Sequence, residues 1–476
     1  MSQKRKQNAL IITFAVMVIL ITFILGYGVA LITGNGSLNP GKPGTGFSTL
    51  ESVYNILSEN FYYGQDTPEY RSQLIESAIK GMVNAQGDPH TEYMTPQEVA
   101  DFSGSLESTF VGIGVRYTTL DGNIFVIDVL ESSPAEKAGI LGGDIIIQVD
   151  DTLCKNVDID TITSMIRGQA GTDVRLKIDR NGTVIEKTVT RVQIESTVFS
   201  EIRDNVGILN ISSFGTGTGG ELARHLDKIN KAGVNRIIID LRNNGGGYAN
   251  TLNIMCRYFM KDGEIIMREE YRDGREILDK VVGSQKYDFE KIVILLNGNS
   301  ASCSEVFTLA LTEHCQAITV GTKSYGKGVA QVSKIFGDGS ALKYTDVIWK
   351  SDSGKFVQGN GIDPDHEVKL HDALYLSYVT LDDDEVYAFD SVSPRVAEAQ
   401  LILDFLGYGT DRTDGYFSQK TQTAIEQFQK DNGIKVSGNL DKDTYTRLDS
   451  VLVFKWATDK ATYDTQMNKA LELAKQ

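Results

Sequence analysis

Cysteine is scarce. The 476 residues hold four, Cys154, Cys256, Cys303 and Cys315, too few and too scattered for a disulfide framework, and none forms a C-x-x-C pair of the metal-binding or redox kind. Histidine numbers only five and no cluster has metal-ligand spacing, so neither a metal nor a cofactor is expected. Positive charge is in deficit: 47 Lys plus Arg against 63 Asp plus Glu leaves a net charge of −16, which repels a phosphate backbone, so nucleic acid is not expected as a partner. Proline is sparse, 8 residues against 46 Gly, while 41% hydrophobic and 23% charged residues fall in the globular range, away from collagen and wholesale disorder. The length allows about three domains.

Long apolar runs are equally rare, with one exception. Ala9 to Thr33 carry no charge over 25 positions, enough at 1.5 Å per residue to cross a hydrocarbon core of about 30 Å. Lys4, Arg5 and Lys6 precede it, which holds the N-terminus in the cytoplasm and sends everything beyond residue 34 outside. A cleaved signal peptide is the alternative, but the run exceeds a typical h-region and the stretch after it, Gly34 to Gly46, reads as a flexible linker. The expectation is an uncleaved single-pass anchor with the rest of the chain on the outer face of the cell membrane.

Beyond the linker the pattern changes several times. Leu50, Val53, Tyr54, Leu57 and Phe61, then Leu74, Ile75, Ile79 and Met82, recur at helical spacing and predict two or three helices over 47–103. Short alternating strands broken by Asp-Gly and Asn-Gly turns (Ile124 to Val129, Asp144 to Val149, Val174 to Ile178, Val184 to Val189) mark a small β-rich module over 104–192. Val206 to Phe214, Arg236 to Leu241 and Lys291 to Leu296 are apolar strands separated by helical stretches such as Glu221 to Ala232, an α/β core over 193–375. Val396 to Leu406 and Thr421 to Gln429 are amphipathic helices of a separate module over 391–453. Residues 454–476 are left as a C-terminal tail. The fold class is thus α/β multidomain, with an N-terminal transmembrane helix over 1–33 and the linker over 34–46.

Two glycine motifs mislead. Gly215, Gly217 and Gly220 spell G-x-G-x-x-G with Asp240 twenty residues on, but Glu221 puts a carboxylate where a pyrophosphate would sit. Gly321 to Lys327 fit G-x-x-x-x-G-K, yet Gly328 stands where a P-loop needs Ser or Thr. A third candidate is an elbow: Leu295 and Leu296 run through Asn297-Gly298-Asn299-Ser300-Ala301-Ser302-Cys303 into a helix. Such a turn presents a hydroxyl beside unpaired N–H groups at a helix N-terminus. Ser302-x-x-Glu305 is also a capping box, which serves only to start the helix. The geometry alone does not choose between them; a base must activate the hydroxyl. Histidine serves in many hydrolases, and His90, His225, His314, His366 and His371 keep that route open. The other base is Lys327, in Ser324-Tyr325-Gly326-Lys327-Gly328. An ordinary lysine, with a pKa near 10.4, is protonated, so only a desolvated one can act. Lys323, four residues earlier, is the internal control.

Taken together, the residues resemble the C-terminal processing peptidases, or tail-specific proteases, which are Ser-Lys endopeptidases carrying a PDZ domain. The resemblance rests on Asp88 to Met94 (DPHTEYM), Val206 to Phe214 (VGILNISSF), Ile239 to Gly247 (IDLRNNGGG), Ser300 to Glu305 (SASCSE), Tyr325 to Gly328 (YGKG) and Gly359 to Pro364 (GNGIDP). It implies Ser302 as nucleophile, Lys327 as general base and Gln331 as the residue orienting that lysine, with oxyanion donors from Cys303 and from Gly246 or Gly247. The usual alanine is replaced here by Cys303, a change that a backbone donor tolerates but that brings a thiol next to the nucleophile. In the β-rich module, Val111, Gly112, Ile113 and Gly114 resemble the PDZ carboxylate-binding loop, and Arg167 resembles the arginine coupling peptide binding to the protease core. The last module, with Asp414-Gly415-Tyr416-Phe417, resembles a three-helix peptidoglycan-binding domain.

The resemblance implies an endopeptidase acting on protein substrates with free C-terminal tails, wall glycan as a further partner, and self-association into homo-oligomers. A non-catalytic scaffold that binds tails and wall is the reading from another class.

Overall fold

The computed structural model describes residues 46–476 except 108, 121, 131, 132, 156, 196 and 378. The expected anchor and all but the last linker residue lie outside that range, and among the described residues no helix is long and apolar enough to cross a membrane. The first compact unit ends at Gly87. It contains α1 (Gly46–Glu59) and α2 (Pro68–Asn84), where Pro68 opens the second helix and Thr67 Oγ1 accepts from Tyr70 N–H at 3.2 Å. Proline loses nothing at this position, because its missing N–H would have no helical partner.

The second unit, from Asp88 onward, begins with β1 (Glu92–Met94) and α3 (Pro96–Glu107). The β-rich module follows. Its entry strand β2 (Thr109–Gly112) leads to β3 (Val115–Leu120), β4 (Asn123–Val129), β5 (Ile145–Val149), β6 (Asp173–Arg180) and β7 (Thr183–Thr190), which lie in that order with β3 on an edge. The exit strand β8 (Val192–Glu195) pairs antiparallel with β2. Alternation in β4 turns Ile124 and Val126 inward, where they meet Ile162 and Ile166 of α4 (Ile159–Ile166). Asp158 caps that helix by accepting from Asp160 and Thr161 N–H.

The core sheet starts with antiparallel β9 (Val198–Arg203) and β10 (Val206–Ile211) and continues into β11 (Arg236–Asp240). β12 (Ile265–Tyr271) and β13 (Glu276–Lys280) leave it for a second sheet, and β14 (Lys291–Leu296) and β15 (Ile318–Gly321) return. β16 (Val329–Ile335) and β17 (Ala341–Lys350) belong to the second sheet and β18 (His366–Glu367) closes the first, giving the orders β9-β10-β11-β14-β15-β18 and β1-β17-β12-β13, with β16 on β17. From β10 onward the first sheet is parallel, so its strands are apolar on both faces. One face, with Leu209, Ile237, Ile239 and Ile294, is covered by α5 (Thr218–Lys231), α6 (Ala249–Cys256) and α7 (Cys303–Cys315). Glu221, in the first turn of α5, accepts from Thr197 and Val198 N–H, which puts the glycine motif before it to structural use.

The C-terminal module contains α8 (Pro394–Phe405), α9 (Gln419–Asp431) and α10 (Lys442–Thr458) around Val396, Leu403, Phe417, Ile425, Phe428 and Leu448. The stretch 454–476, expected as a tail, is instead helical: it finishes α10 and forms α11 (Thr465–Lys475). Met467, Ala470, Leu471 and Ala474 of α11 cover the other face of the core sheet against Val206, Ile208, Ile238, Val293 and Leu295. The chain's end therefore completes the protease core rather than trailing from it.

Candidate active site

β14 ends at Leu296, and the turn after it delivers Ser302 with φ 56° and ψ −119°. A positive φ on a non-glycine residue costs about 1–3 kcal/mol and persists only where the surroundings impose it. Here they do: a Cβ on Gly246 would stand 2.9 Å from Ser302 Cβ and 3.1 Å from Cys303 N, so the glycine turn after β11 lies directly against the elbow. The Ser302 hydroxyl makes no capping bond. Ser302 N–H donates to Glu305 Oε2 at 3.0 Å, and Glu305 N–H donates to the Ser302 carbonyl.

Glu305 does much more than cap. Its carboxylate is completely buried and accepts four hydrogen bonds: from Ser302 N–H, from Lys327 N–H at 2.8 Å, from Gly326 N–H at 2.8 Å and from Ser324 Oγ at 2.6 Å. One side chain thus joins the elbow to the lysine loop, 22 residues on. Ser324 Oγ also accepts from Ile362 N–H at 2.7 Å, which brings in the G-N-G-I segment. Sequence alone pointed to Glu305 as a local cap; its partners across 19–22 residues gave no periodic signal.

Lys327 is half-buried, and its amine is held below the ordinary lysine value first by burial and then by the like charge of Lys343. Lys323, in contrast, is exposed and paired with Asp363 at 3.0 Å. The loop around Lys327 is fixed on all sides: Trp349 Nε1 donates to its carbonyl at 3.0 Å, and Gly328 N–H donates to Gln358 Oε1 at 2.7 Å. Gln331 sits at a bulge in β16, where its amide donates to Thr345 Oγ1 at 3.2 Å. In this conformation no hydrogen bond among the described residues joins Lys327 Nζ to Ser302 or to Gln331.

The D-P-H-T segment borders the same place. Asp88 accepts from His90 N–H and from Thr91 Oγ1, and Thr91 Oγ1 accepts from Thr345 N–H, pinning β1 to β17. His90 is held below its ordinary value by burial and then by Lys327. The other histidines are engaged elsewhere: His225 Nδ1 with Ser200 Oγ at 2.7 Å, His314 Nε2 with the Ile265 carbonyl at 3.0 Å.

The expected oxyanion donors separate by their bonds. Cys303 N–H, first in α7, lies outside the helical ladder. Gly246, expected as a donor, spends its N–H on Asn244 Oδ1 at 2.9 Å; Asn244 is itself held by Ile211 O. That leaves Gly247 of the expected pair, with φ 150° and backbone against Phe214. The Cys303 thiol donates to the Gly247 carbonyl at 3.3 Å, and burial pushes it up to about 11, so it is a neutral packing group rather than a thiolate.

In the β-rich module, Val111 and Gly112 end β2 opposite Gln193 and Val192. Ile113 faces the core, with its carbonyl accepting from Ala135 N–H at 2.9 Å. Gly114, φ 83°, lies so close to Ser133 that a Cβ would stand 2.3 Å away. The segment thus offers backbone, not side chains, beside the start of β3. Arg167 ends α4 as an exposed C-cap. Arg191, which sequence reading passed over, organises that corner by donating to the carbonyls of Met165, Ile166 and Asp173.

Comparison with known proteins finds three family models: "Peptidase family S41" over residues 205–368, "PDZ domain" over 111–190 and "Putative peptidoglycan binding domain" over 392–448. A "Probable CtpA-like serine protease" of Staphylococcus epidermidis is 35% identical over 422 residues, 88% of this chain and 85% of that protein. The "Carboxy-terminal processing protease CtpA" of Bacillus subtilis is 33% identical over 466 residues, 96% and 97% of the two chains. Among solved structures, a photosystem II D1 C-terminal processing protease matches with a TM-score of 0.40 at 22% identity, over 68% of this chain and 92% of that one.

Proposed function

The chain belongs to peptidase family S41 and is a C-terminal processing serine protease, and from that premise we propose a membrane-anchored, extracytoplasmic endopeptidase that takes the C-terminal tails of envelope proteins and cleaves them with Ser302 and Lys327. Ser302 Oγ attacks the scissile carbonyl carbon while Lys327 Nζ takes its proton. The C–N bond then breaks, and the resulting ammonium returns the proton to the leaving amine. Water repeats the sequence on the acyl-enzyme with the same amine as base. Cys303 and Gly247 N–H groups stabilise the oxyanion, and Gln331 turns from Thr345 to orient Lys327 as substrate closes the site, since catalytic hydrogen bonds tighten on binding.

The observation that carries this reading is the buried carboxylate of Glu305, bonded at once to Ser302 N–H and Lys327 N–H. It fixes a strained serine and a desolvated lysine on the two sides of one anion. The PDZ domain supplies tail capture: backbone N–H groups around Gly112 and Gly114 hold the terminal carboxylate, and the tail adds as a strand to the edge of β3, with Arg167 relaying that event to the core. The apolar run over 9–33 anchors the enzyme in the cell membrane, the C-terminal module contacts peptidoglycan, and copies of the chain associate into homo-oligomers.

Replacing Lys327 with Ala tests the reading. Cleavage of a denatured model protein is expected to vanish while binding of a tail peptide persists; unchanged proteolysis in Lys327→Ala would remove the lysine from its role.

A further inference from the structure

The edge of β3 is not open. β3 is the outermost strand of its sheet, the position at which an extended chain can add. Helix α10 of the C-terminal module packs against that strand. Its Phe454 meets Phe125 of β4 edge to face, with 5.1 Å between ring centroids. Phe125 stands opposite Thr118 of β3, so both lie on one face, and Thr118 is 7% exposed despite its place on an edge strand.

The far side of the tail groove is bounded by α4. Tyr117 of β3 is hydrogen-bonded to Thr163 of α4 across it. Beyond Thr119, Ile159 and Ile162, the groove opens into a cleft of about 1750 Å³ whose far wall includes Leu452, Val453 and Trp456 of α10. An added strand would lie about 4.8 Å from β3, whereas a helix with its side chains is about 10 Å across. The two cannot share that edge.

We propose that α10 is a built-in cover for the tail-binding edge, so that capture of a substrate tail requires the C-terminal module to release β3. This rests on the reading that tails add to β3. The cover links the wall-binding module to substrate admission: whatever draws that module away from the PDZ domain exposes the strand.

The test uses the full chain with Ser302→Ala, so that bound peptide is not cut, and a labelled peptide ending in a free carboxylate, with its C-terminal amide as control. Phe454→Asp, which puts a charge in the Phe125 contact, is expected to tighten acid-peptide binding fivefold or more in fluorescence anisotropy. In a second variant, Phe125→Cys with Phe454→Cys, a short bismaleimide cross-link is expected to weaken binding at least tenfold relative to the same protein left unlinked; the native thiols are buried or half-buried. Equal binding by linked and unlinked protein, with the amide still rejected, overturns the cover and leaves tail recognition standing. Equal binding of acid and amide by the unlinked protein overturns tail recognition at β3, and the cover with it.

Discussion

Arg242 and Asp464 are 222 residues apart in the chain, yet two hydrogen bonds of 2.8 and 2.9 Å join them. Arg242 also grips Asp240 at the end of β11 at 2.9 and 2.7 Å, and both acids and the guanidinium are nearly buried. The burial opposes the charge, but the two carboxylates hold the guanidinium protonated well above the ordinary arginine value. Asp464 at the same time caps α11 through Met467 N–H. The helix that ends the chain is therefore clamped to the residue preceding the Asn243 to Gly247 turn, which lies against Ser302 and Cys303.

Asp464→Asn keeps the shape and removes the charge. Arg242 retains Asp240, so the expected loss is that of a charged hydrogen bond left half-met, about 1–3 kcal/mol. It should be read as a lower urea midpoint, with proteolysis falling as the turn loosens. An unchanged midpoint would mean that the clamp contributes nothing to stability.

Glu305→Gln should be more severe for activity. A carboxylate can accept from four donors, whereas an amide presents one oxygen and turns two N–H groups toward N–H donors. Ser302 and Lys327 would shift relative to each other, and a displacement near 1 Å costs about a hundredfold in rate. The measurement is kcat on an unfolded protein, with tail-peptide affinity of the same variant expected to be unaltered. Full activity would show that the elbow and lysine loop hold their places without this anion.

The pH dependence follows from Lys327. In the proposed mechanism its amine must be neutral to accept a proton, so kcat/KM is expected to rise with pH through a value below 10.5, lowered first by burial and second by Lys343. The unfolded chain keeps this proton to higher pH than the folded one. Stability therefore rises with pH between the lowered value and 10.5, and the burial penalty is felt in full below that window. Lys343→Met removes the second cause and should move the rising limb to higher pH, while His90→Phe should leave a limb in place. A limb that ignores Lys343→Met would belong to another group.

The neighbouring thiol gives a separate check. Cys303 is buried, bonded to Gly247 O and pushed up to about 11, so thiolate is scarce at neutral pH. Cys303→Ala should keep proteolysis within about twofold, in line with the small effect of loosening one neutral packing contact, and iodoacetamide should inactivate the parent enzyme no faster than the variant. Abolished cleavage in Cys303→Ala would instead assign the sulfur a chemical role.

Much of this architecture is legible in the chain. The period-2 strands of the β-rich module and the apolar strands of the core match the expected ones to within a few residues: the strand expected over Lys291 to Leu296 is β14. The elbow and the lysine turn stood out because small residues and glycines mark unusual backbone. Long-range partners left no such mark. Glu305 looked like a local cap because its nearest partner is three residues away, and Gly246 looked like a donor because nothing local shows Asn244 folding back onto it. The segment 454–476 was misjudged for a related reason. α11 has alanines and a glutamine where a long apolar stripe would announce a core helix, and what makes it one is the sheet face waiting for it.

That sheet face gives the last prediction. Val206, Ile208, Ile238, Val293, Leu295 and Val320 form a row of apolar side chains that only α11 covers among the described residues of their cluster. Leu471 is 7% exposed there, so Leu471→Ala removes buried methyl groups and leaves a void, costing about 2–5 kcal/mol. Deleting residues 465–476 goes further, exposing a broad apolar patch of the kind that drives aggregation. The expected outcomes are a lowered unfolding midpoint for the point variant and insoluble protein for the deletion. A soluble, active deletion would show that the protease core closes without the helix, and that the Arg242 clamp on Asp464 serves only to tether the chain's end.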